Sequence, residues 1–219
     1  MKIIELKETI TASNDRDAEV LRQGLKEKKT LLINLMASPG AGKTTLLKRT
    51  IEALSPDVAI GIIEADIDSD VDARALSELG VSAVQAHTDG MCHMDAGMTE
   101  TALNELDTEG LDLIFLENVG NLICPAEFDT GAGLNVMILS VPEGDDKPLK
   151  YPLMFTKSSA LLITKTDTLP VFDFDIEKCK ERALKLNPEL EIFPVSAKTG
   201  DGIDAWIKYL RGKLRDWTD

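Results

Sequence analysis

Long apolar runs are missing from the sequence, and cysteine is scarce. A membrane-spanning helix needs about 20 consecutive apolar residues, and no such run occurs in the 219 residues. The opening segment, Met1–Glu8, mixes charged with apolar side chains and lacks the apolar core of a secretion signal. Three cysteines cannot all pair within one chain, so Cys92, Cys124 and Cys179 predict free thiols or metal ligands in a reducing compartment. We therefore expect a cytoplasmic protein that does not enter a membrane.

Basic residues are also few. The chain has 24 Lys and Arg against 38 Asp and Glu, which gives a net charge of −14. Nucleic acids and anionic membranes attract basic surfaces, so this charge argues against both as partners. Hydrophobic residues make up 43% of the chain, enough for the core of one globular domain. Because no repeat or linker divides the sequence, we predict a single domain over residues 1–219.

Short apolar runs alternate with amphipathic segments along the whole chain. A leading helix is predicted over about 13–28, with Ser13 or Asn14 as its cap. Strands are predicted at 30–36, 58–63, 81–86, 111–116, 135–141, 160–164 and 192–193, and further helices at 43–54, 71–79, 96–106, 176–186 and 203–214. This alternation predicts an α/β fold, a mainly parallel sheet with helices on both faces. It does not predict the strand order.

A glycine-rich loop follows the first predicted strand. The segment Ala37–Thr45 reads Ala-Ser-Pro-Gly-Ala-Gly-Lys-Thr-Thr and departs from the P-loop pattern only at Ala37, where a glycine is usual. In a P-loop the backbone N–H groups surround phosphate oxygens, the lysine reaches the β- and γ-phosphates and the next hydroxyl binds Mg²⁺. The chain is therefore predicted to be a P-loop NTPase whose nucleotide contacts come from Pro39, Gly40, Ala41, Gly42, Lys43, Thr44 and Thr45.

Two later loops predict that the base is guanine. Thr164-Lys165-Thr166-Asp167 is close to the Asn/Thr-Lys-x-Asp signature of GTPases, in which the aspartate accepts hydrogen bonds from two guanine N–H groups. Adenine offers no such pair of donors, so GTP is expected rather than ATP. Ser196-Ala197-Lys198 follows the last strand, as the loop that contacts the guanine oxygen does. Thr164 replaces the commoner asparagine, and we expect modest guanine affinity from that exchange.

Acidic residues end two of the predicted strands, where Mg²⁺ ligands are expected. Glu117 occupies the place of a Walker B acid, and Gly120 is placed to present its N–H to the γ-phosphate. Asp66 and Asp72 are the candidate switch residues. Lys43, Asp66, Asp72 and Glu117 thus form the predicted catalytic set, and Thr44, Asp66 and Glu117 the predicted Mg²⁺ ligands.

Cys92 and His93 follow the third predicted strand, and Cys124 follows the fourth. If these strands are parallel, two thiols and an imidazole converge on one cation such as Zn²⁺ or Ni²⁺. An adjacent Cys-His is not a zinc-finger spacing, and a single cysteine is commonly a small buried hydrophobe. Spacing alone therefore leaves both interpretations open. Cys179 and His87 are interpreted as structural.

Five segments together resemble the hydrogenase nickel-incorporation GTPases (HypB). They are the P-loop, Glu64-Ala65-Asp66 with Asp72-Ala73, Cys92-His93-Met94-Asp95-Ala96, the string from Glu117 to Pro125, and Glu143-Gly144-Asp145-Asp146-Lys147. The resemblance implies a SIMIBI-type G domain and a GTPase that assists nickel insertion into [NiFe] hydrogenase. It also implies a Zn²⁺/Ni²⁺ site at Cys92, His93 and Cys124, a GTP-dependent homodimer, and contacts with maturation partner proteins and the hydrogenase large subunit.

Three alternatives stay open. The first is a nickel GTPase for another enzyme such as urease, although the Cys-Pro-His motif of the urease proteins is absent from this sequence. The second is an ATP-dependent P-loop protein with a structural zinc site, and the third is a metal-binding protein with a vestigial P-loop. No catalytic glutamine or arginine finger stands out in the sequence, so slow intrinsic turnover is expected.

Overall fold

The computed structural model describes residues 6–66 and 80–219, with side chains from Thr11 onward. The helix predicted at 71–79 and the candidate switch residue Asp72 lie outside the described residues. Among the described helices, none is both long enough and apolar enough to cross a membrane.

Seven parallel strands form one sheet in the order β3-β2-β4-β1-β5-β6-β7. The predicted parallel sheet is therefore confirmed. The strands are β1 Leu31–Ala37, β2 Ile60–Asp66, β3 Ser82–His87, β4 Leu113–Glu117, β5 Leu134–Ser140, β6 Ala160–Thr164 and β7 Glu191–Pro194. Strand β1 is buried along its whole length, as expected for a strand covered on both faces.

Helices cover both faces of the sheet. They are α1 Leu6–Glu27, α2 Lys43–Leu54, α3 Ala96–Glu105, α4 Cys124–Glu127, α5 Lys147–Lys150, α6 Pro152–Lys157, α7 Ile176–Leu186 and α8 Ile203–Thr218, with 3₁₀ turns at Val141–Glu143 and Thr166–Thr168. On one face α2 and α8 pack against alternate residues of β1, β4 and β5. The opposite face carries α1 and α3 over one half of the sheet and α6 and α7 over the other.

The predicted start of the leading helix is wrong. Helix α1 begins at Leu6 and runs through Ser13 and Asn14, which were expected to cap it. The Asn14 side chain bonds to other segments instead: its Nδ2 donates to the Asp129 carbonyl and its Oδ1 accepts from the Ala96 N–H. A polar residue that would favour a cap is thus accommodated inside the helix by partners distant in sequence.

Because all seven strands run in one direction, the segments that follow them emerge at a single edge of the sheet, here called the carboxyl edge. The P-loop follows β1, the Cys92-His93 segment follows β3, the Glu117–Cys124 segment follows β4 and the guanine loop follows β6. Ligands of open α/β sheets bind at this edge. Asp66 ends β2 and the Ser196–Lys198 loop follows β7, so the fold gathers the predicted site residues from six separate parts of the chain.

Candidate functional site

The phosphate loop has the backbone conformation that its glycines permit. Gly40 and Gly42 have φ of 74° and 93°, in the left-handed region that favours glycine, and α2 begins directly afterwards at Lys43. Ala37, in contrast, is still part of β1, where it pairs with Ile138. A strand conformation suits alanine, so this position does not require the glycine that the P-loop pattern usually has there.

A carboxylate, a hydroxyl and an ammonium group meet at the start of α2. Glu117 Oε1 accepts from the Thr44 hydroxyl at 3.2 Å and lies 4.0 Å from Lys43 Nζ. Hydroxyl and carboxylate oxygens are the ligand types that Mg²⁺ takes in nucleotide sites, so these residues fit the ion. Asp66 ends the neighbouring strand β2 at the same edge, and its part in Mg²⁺ binding stays a prediction.

The segment after β4 runs against the P-loop. Asn121 N–H donates to the Ala37 carbonyl at 2.8 Å, and a Cβ added to Gly120 would lie 3.0–3.2 Å from three atoms of Pro39. A side chain at this position would require Pro39 to move by a few tenths of an ångström. The role of the Gly120 N–H toward the γ-phosphate stays a prediction.

A glutamate that sequence reasoning gave no role also contacts the P-loop. The Ser38 hydroxyl donates to Glu143 Oε1, while Glu143 Oε2 accepts from the Ser140 N–H and hydroxyl, each at 2.7 Å. Glu143 thus joins the phosphate loop to the end of β5. It lies in a segment that carries the resemblance, and this was the only signal in the sequence.

The guanine loops lie together at the end of β6. Asp167 Oδ1 accepts from the Ser196 hydroxyl at 2.8 Å, and Lys198 Nζ lies 3.8 Å from Oδ2. A cavity of about 230 Å³ opens beside them, lined by Gly42, Thr45, Thr164, Lys165, Asp167, Thr168, Ala197 and Lys198. Of the predicted base-reading residues, Lys165, Asp167, Ala197 and Lys198 line this cavity beside the P-loop, whereas Ser196 is buried and contacts Asp167.

Two hydrogen bonds connect the guanine loop to the phosphate loop. The Thr164 hydroxyl donates to the Ala41 carbonyl at 2.7 Å, and Lys165 Nζ donates to the Gly40 carbonyl at 2.7 Å. Thr164 therefore orients the two loops through its hydroxyl. This contact was not predicted from the sequence, where Thr164 was noted only as a replacement for the commoner asparagine.

The two thiols and the imidazole do converge. One ligand atom from each of Cys92, His93 and Cys124 lies within 4.8 Å of the others, and Cys92 Sγ is 3.7 Å from His93 Nδ1. The His93 ring is buried and stacks on Phe128 with centroids 3.9 Å apart. This donor set suits Zn²⁺ or Ni²⁺.

Burial affects the protonation of these ligands in opposite directions. It lowers the pKa of His93, which favours the neutral imidazole that binds metal. It raises the pKa of the Cys124 thiol, and the neighbouring Cys92 raises it further, whereas the Asn121 amide, 3.6 Å from Cys124 Sγ, lowers it. A metal must therefore displace a firmly held proton to bind Cys124.

Cys179 and His87, both interpreted as structural from the sequence, are not members of this cluster. Cys179 lies on α7 and is fully buried in the core that this helix shares with α6, and burial raises its pKa to about 12. His87 ends β3 and is exposed. Cys179 is thus a core residue, as expected for a structural cysteine.

Asn118 links the metal segment to the middle of the sheet. Its Oδ1 accepts from the Met94 N–H at 3.1 Å, and its Nδ2 donates to Asn34 Oδ1 at 2.9 Å. Asn34 in turn donates to Asn135 Oδ1 at 3.0 Å. Asn118, next to Glu117, therefore holds Met94, next to His93. This contact was not predicted from the sequence.

Comparison with known proteins supports the resemblance found in the sequence. Residues 31–194 match the profile of the CobW/HypB/UreG nucleotide-binding domain. The hydrogenase maturation factor HypB of Azotobacter chroococcum mcd 1 is 44% identical over 211 residues, which cover 95% of this chain and 68% of that protein. The chain belongs to the hydrogenase maturation factor HypB family. The predicted family and the predicted P-loop NTPase fold of SIMIBI type are thus confirmed.

Other HypB proteins match over similar lengths. The hydrogenase/urease maturation factor HypB of Helicobacter hepaticus is 43% identical and covers 100% of this chain and 88% of its own. The crystal structure of HypB from Helicobacter pylori in complex with nickel has a TM-score of 0.88 at 39% identity, and covers 93% of this chain and 96% of that one. These likenesses favour a nickel-related HypB role over an ATP-dependent protein with a structural zinc site.

Proposed function

We propose that this HypB-family chain is a GTPase that binds nickel or zinc and assists nickel insertion into [NiFe] hydrogenase. One observation carries the proposal: a guanine cavity beside a P-loop and a Cys-His-Cys cluster lie at the same edge of one sheet. They are joined by the segment from Glu117 to Cys124.

The nucleotide side of the proposal follows from the side chains around the P-loop. Asp167 reads guanine, while Lys43 and the loop N–H groups hold the phosphates. Thr44 and Glu117, with Asp66 as a further candidate, would hold Mg²⁺, which neutralises charge on the phosphate oxygens. Water attacks the γ-phosphorus, and the bond to the β-γ bridging oxygen breaks to give GDP and phosphate. Asp66 and Asp72 are the candidate switch residues for this step.

The metal side of the proposal rests on three protein ligands. Cys92, His93 and Cys124 leave a coordination position open, as an exchangeable cargo site requires. A second subunit could fill it in the proposed GTP-dependent homodimer, and the maturation partners and the hydrogenase large subunit would receive the cargo. A cytoplasmic location is part of the proposal because thiol ligands need a reducing compartment.

One set of titrations on purified protein tests both sides. We expect GTP to compete far better than ATP for the nucleotide site. Cys92→Ser and Cys124→Ser should abolish tight Ni²⁺ and Zn²⁺ binding, while Cys179→Ser serves as the matched control and should retain it. Equal affinities for ATP and GTP would end the guanine assignment, and a loss with Cys179→Ser as large as with Cys124→Ser would end the ligand assignment.

The cellular role has its own test. Deletion of the gene should lower hydrogenase activity, and excess nickel in the medium should restore part of it. An unchanged hydrogenase activity in the deletion strain at low nickel would argue against the role in hydrogenase maturation.

A further inference from the structure

Helix α1 lies outside the nucleotide-binding domain that the family shares, because the matched profile begins at residue 31. The helix nevertheless packs closely on that domain. Leu21 and Leu25 contribute to the cluster formed by α3 and the adjacent face of the sheet. A helix added to a complete nucleotide fold calls for a reason other than nucleotide binding.

The Asn14 side chain bridges the two segments that carry the metal ligands. Its Oδ1 accepts from the N–H of Ala96, the first residue of α3, at 2.9 Å. Its Nδ2 donates to the carbonyl of Asp129 at 2.9 Å. Ala96 lies three residues after His93, and Asp129 directly follows Phe128, the ring that stacks on His93. A single amide group thus connects the Cys92-His93 segment to the segment that begins at Cys124.

Arg22, two turns farther along α1, holds the second of these segments from another side. Its Nη2 lies 2.7 and 2.6 Å from the two carboxylate oxygens of Asp129, and its Nε donates to the Ala132 carbonyl at 2.9 Å. Asp129 is therefore held through its carbonyl by Asn14 and through its carboxylate by Arg22. These contacts fix the position of α1 against the Cys92-His93 segment and the Cys124–Asp129 segment, here called the metal-bearing segments.

We propose that Asn14 is a positioning residue of the metal site: it fixes the spacing between the Cys92-His93 segment and the Cys124–Asp129 segment. The inference rests on the proposed metal site at Cys92, His93 and Cys124. Groups that orient metal ligands without touching the ion contribute about 10- to 100-fold to metal affinity, because ligands held in place need no ordering when the ion binds. Helix α1 then serves the metal site, whereas the nucleotide site is complete without it.

The test compares substitutions at two positions of the same helix. Asn14→Leu removes both hydrogen bonds at similar volume, and Asn14→Asp keeps an acceptor for the Ala96 N–H while losing the donor to Asp129. Lys26→Met is the matched control, because Lys26 lies over the Trp217 ring and contacts neither metal-bearing segment. Ni²⁺ and Zn²⁺ affinities, GDP affinity, and the near-ultraviolet nickel–thiolate absorption at saturating nickel are measured on each full-length protein.

We expect Asn14→Leu to weaken Ni²⁺ and Zn²⁺ binding about tenfold or more and to alter the nickel–thiolate absorption, with GDP affinity unchanged. Asn14→Asp should show an intermediate loss, and Lys26→Met none. Metal affinity equal to the parent in either folded Asn14 variant would overturn the proposal. An equal loss in Lys26→Met, or a parallel loss of GDP affinity, would show a general effect on stability and would overturn it as well.

Failure of the underlying metal site gives a different result. In that case the parent protein itself binds neither Ni²⁺ nor Zn²⁺ tightly, or binds them as well after Cys124→Ser. If the parent protein and Asn14→Leu both bind Ni²⁺ and Zn²⁺ tightly, only the proposed role of Asn14 is contradicted.

Discussion

At the residue scale, the proposed guanine recognition depends on the single carboxylate of Asp167. One of its oxygens is oriented by the Ser196 hydroxyl, and the other faces an exposed lysine. We expect Asp167→Asn to weaken GTP binding about tenfold to a hundredfold, because hydrogen bonds to a charged group are lost and an amide N–H then faces the guanine donors. Xanthosine triphosphate, whose ring carries an oxygen in place of the exocyclic amine, should bind the variant better than GTP does.

Competition binding with the two nucleotides measures this preference. Asp201→Asn is a suitable control, because Asp201 lies in the neighbouring loop after β7 and its carboxylate accepts from the Thr199 hydroxyl. An Asp167→Asn protein that still prefers GTP to xanthosine triphosphate would remove Asp167 from base reading.

The proposed metal ligands predict a pH dependence at the same scale. Burial lowers the pKa of His93, so the imidazole stays neutral and available to lower pH than usual. Burial raises the pKa of Cys124, so this thiol keeps its proton at neutral pH and releases it on metal binding. Metal affinity should therefore rise with pH, by about tenfold per pH unit for each proton released.

Calorimetric titrations in buffers of different ionisation enthalpy count the protons released. In Cys124→Ser the number of protons released with any residual binding should fall by about one. An affinity that stays constant between about pH 6 and pH 8 would contradict the assignment of protonated thiols as ligands.

At the scale of elements, the segment after β4 is the part that both sites share. Its Gly120 lies so close to Pro39 that a Cβ would come within 3.0–3.2 Å of that residue, including two backbone atoms. Gly120→Ala should displace the P-loop, and overpacking of this kind costs about 1–3 kcal/mol. GTP and GDP should therefore bind about tenfold more weakly, which equilibrium binding measures directly.

Gly97→Ala is the matched control for that substitution. A Cβ at Gly97 in α3 would meet only Asp95 Oδ1, at an ordinary 3.6 Å. Alanine also favours a helix by about 1 kcal/mol over glycine, so the control should be neutral or slightly more stable. Unchanged nucleotide affinity in Gly120→Ala would show that the P-loop can move away without loss.

Most of these elements could be predicted from the sequence, because apolar runs of strand length and amphipathic segments of helix length alternate clearly along it. The P-loop could be predicted from its motif. The meeting of Cys92, His93 and Cys124 was one of two interpretations that their spacing left open, and it follows because residues after parallel strands meet at one edge. Contacts such as those of Asn14 and Asn118 could not be predicted. Asparagine is a residue type that is common at helix caps, and the two partners of Asn14 are 82 and 115 residues away.

The order of the strands in the sheet could not be predicted from the sequence either. Alternating elements predict parallel strands, but several orders satisfy that pattern, and β4 lies between β2 and β1 only because of how the crossover connections pack. The place of Glu117 next to the P-loop depends on that order. Its contact with Thr44 is thus a consequence of topology and not of spacing along the chain.

At the scale of the whole molecule, the proposed nucleotide and metal sites share one segment. Asn121 contacts the P-loop through its N–H and Cys124 through its amide, while Asn118 holds the residue next to His93. A change in this segment on GTP hydrolysis should therefore move Cys124 relative to Cys92. We expect GTP with Mg²⁺ to favour a dimer, and Ni²⁺ affinity to differ about tenfold between the GDP and GTP-analogue states.

Metal titrations into both nucleotide states, with the mass followed by light scattering, measure this coupling. By linkage, the metal must change nucleotide affinity or dimerisation by the same factor. Identical metal affinities and identical masses in the two states would show that the two sites act independently.

The one-way sheet also has a practical consequence for handling the protein. Because the residues of the proposed nucleotide and metal sites lie at the carboxyl edge, the turns at the other end of the strands are suitable places for labels. The turn over residues 107–110, between α3 and β4, is such a place, with Asp107, Glu109 and Gly110 exposed. A short peptide tag or a fluorophore there is separated from both proposed sites by the length of β4. Immobilisation or imaging through this turn therefore leaves the carboxyl edge free.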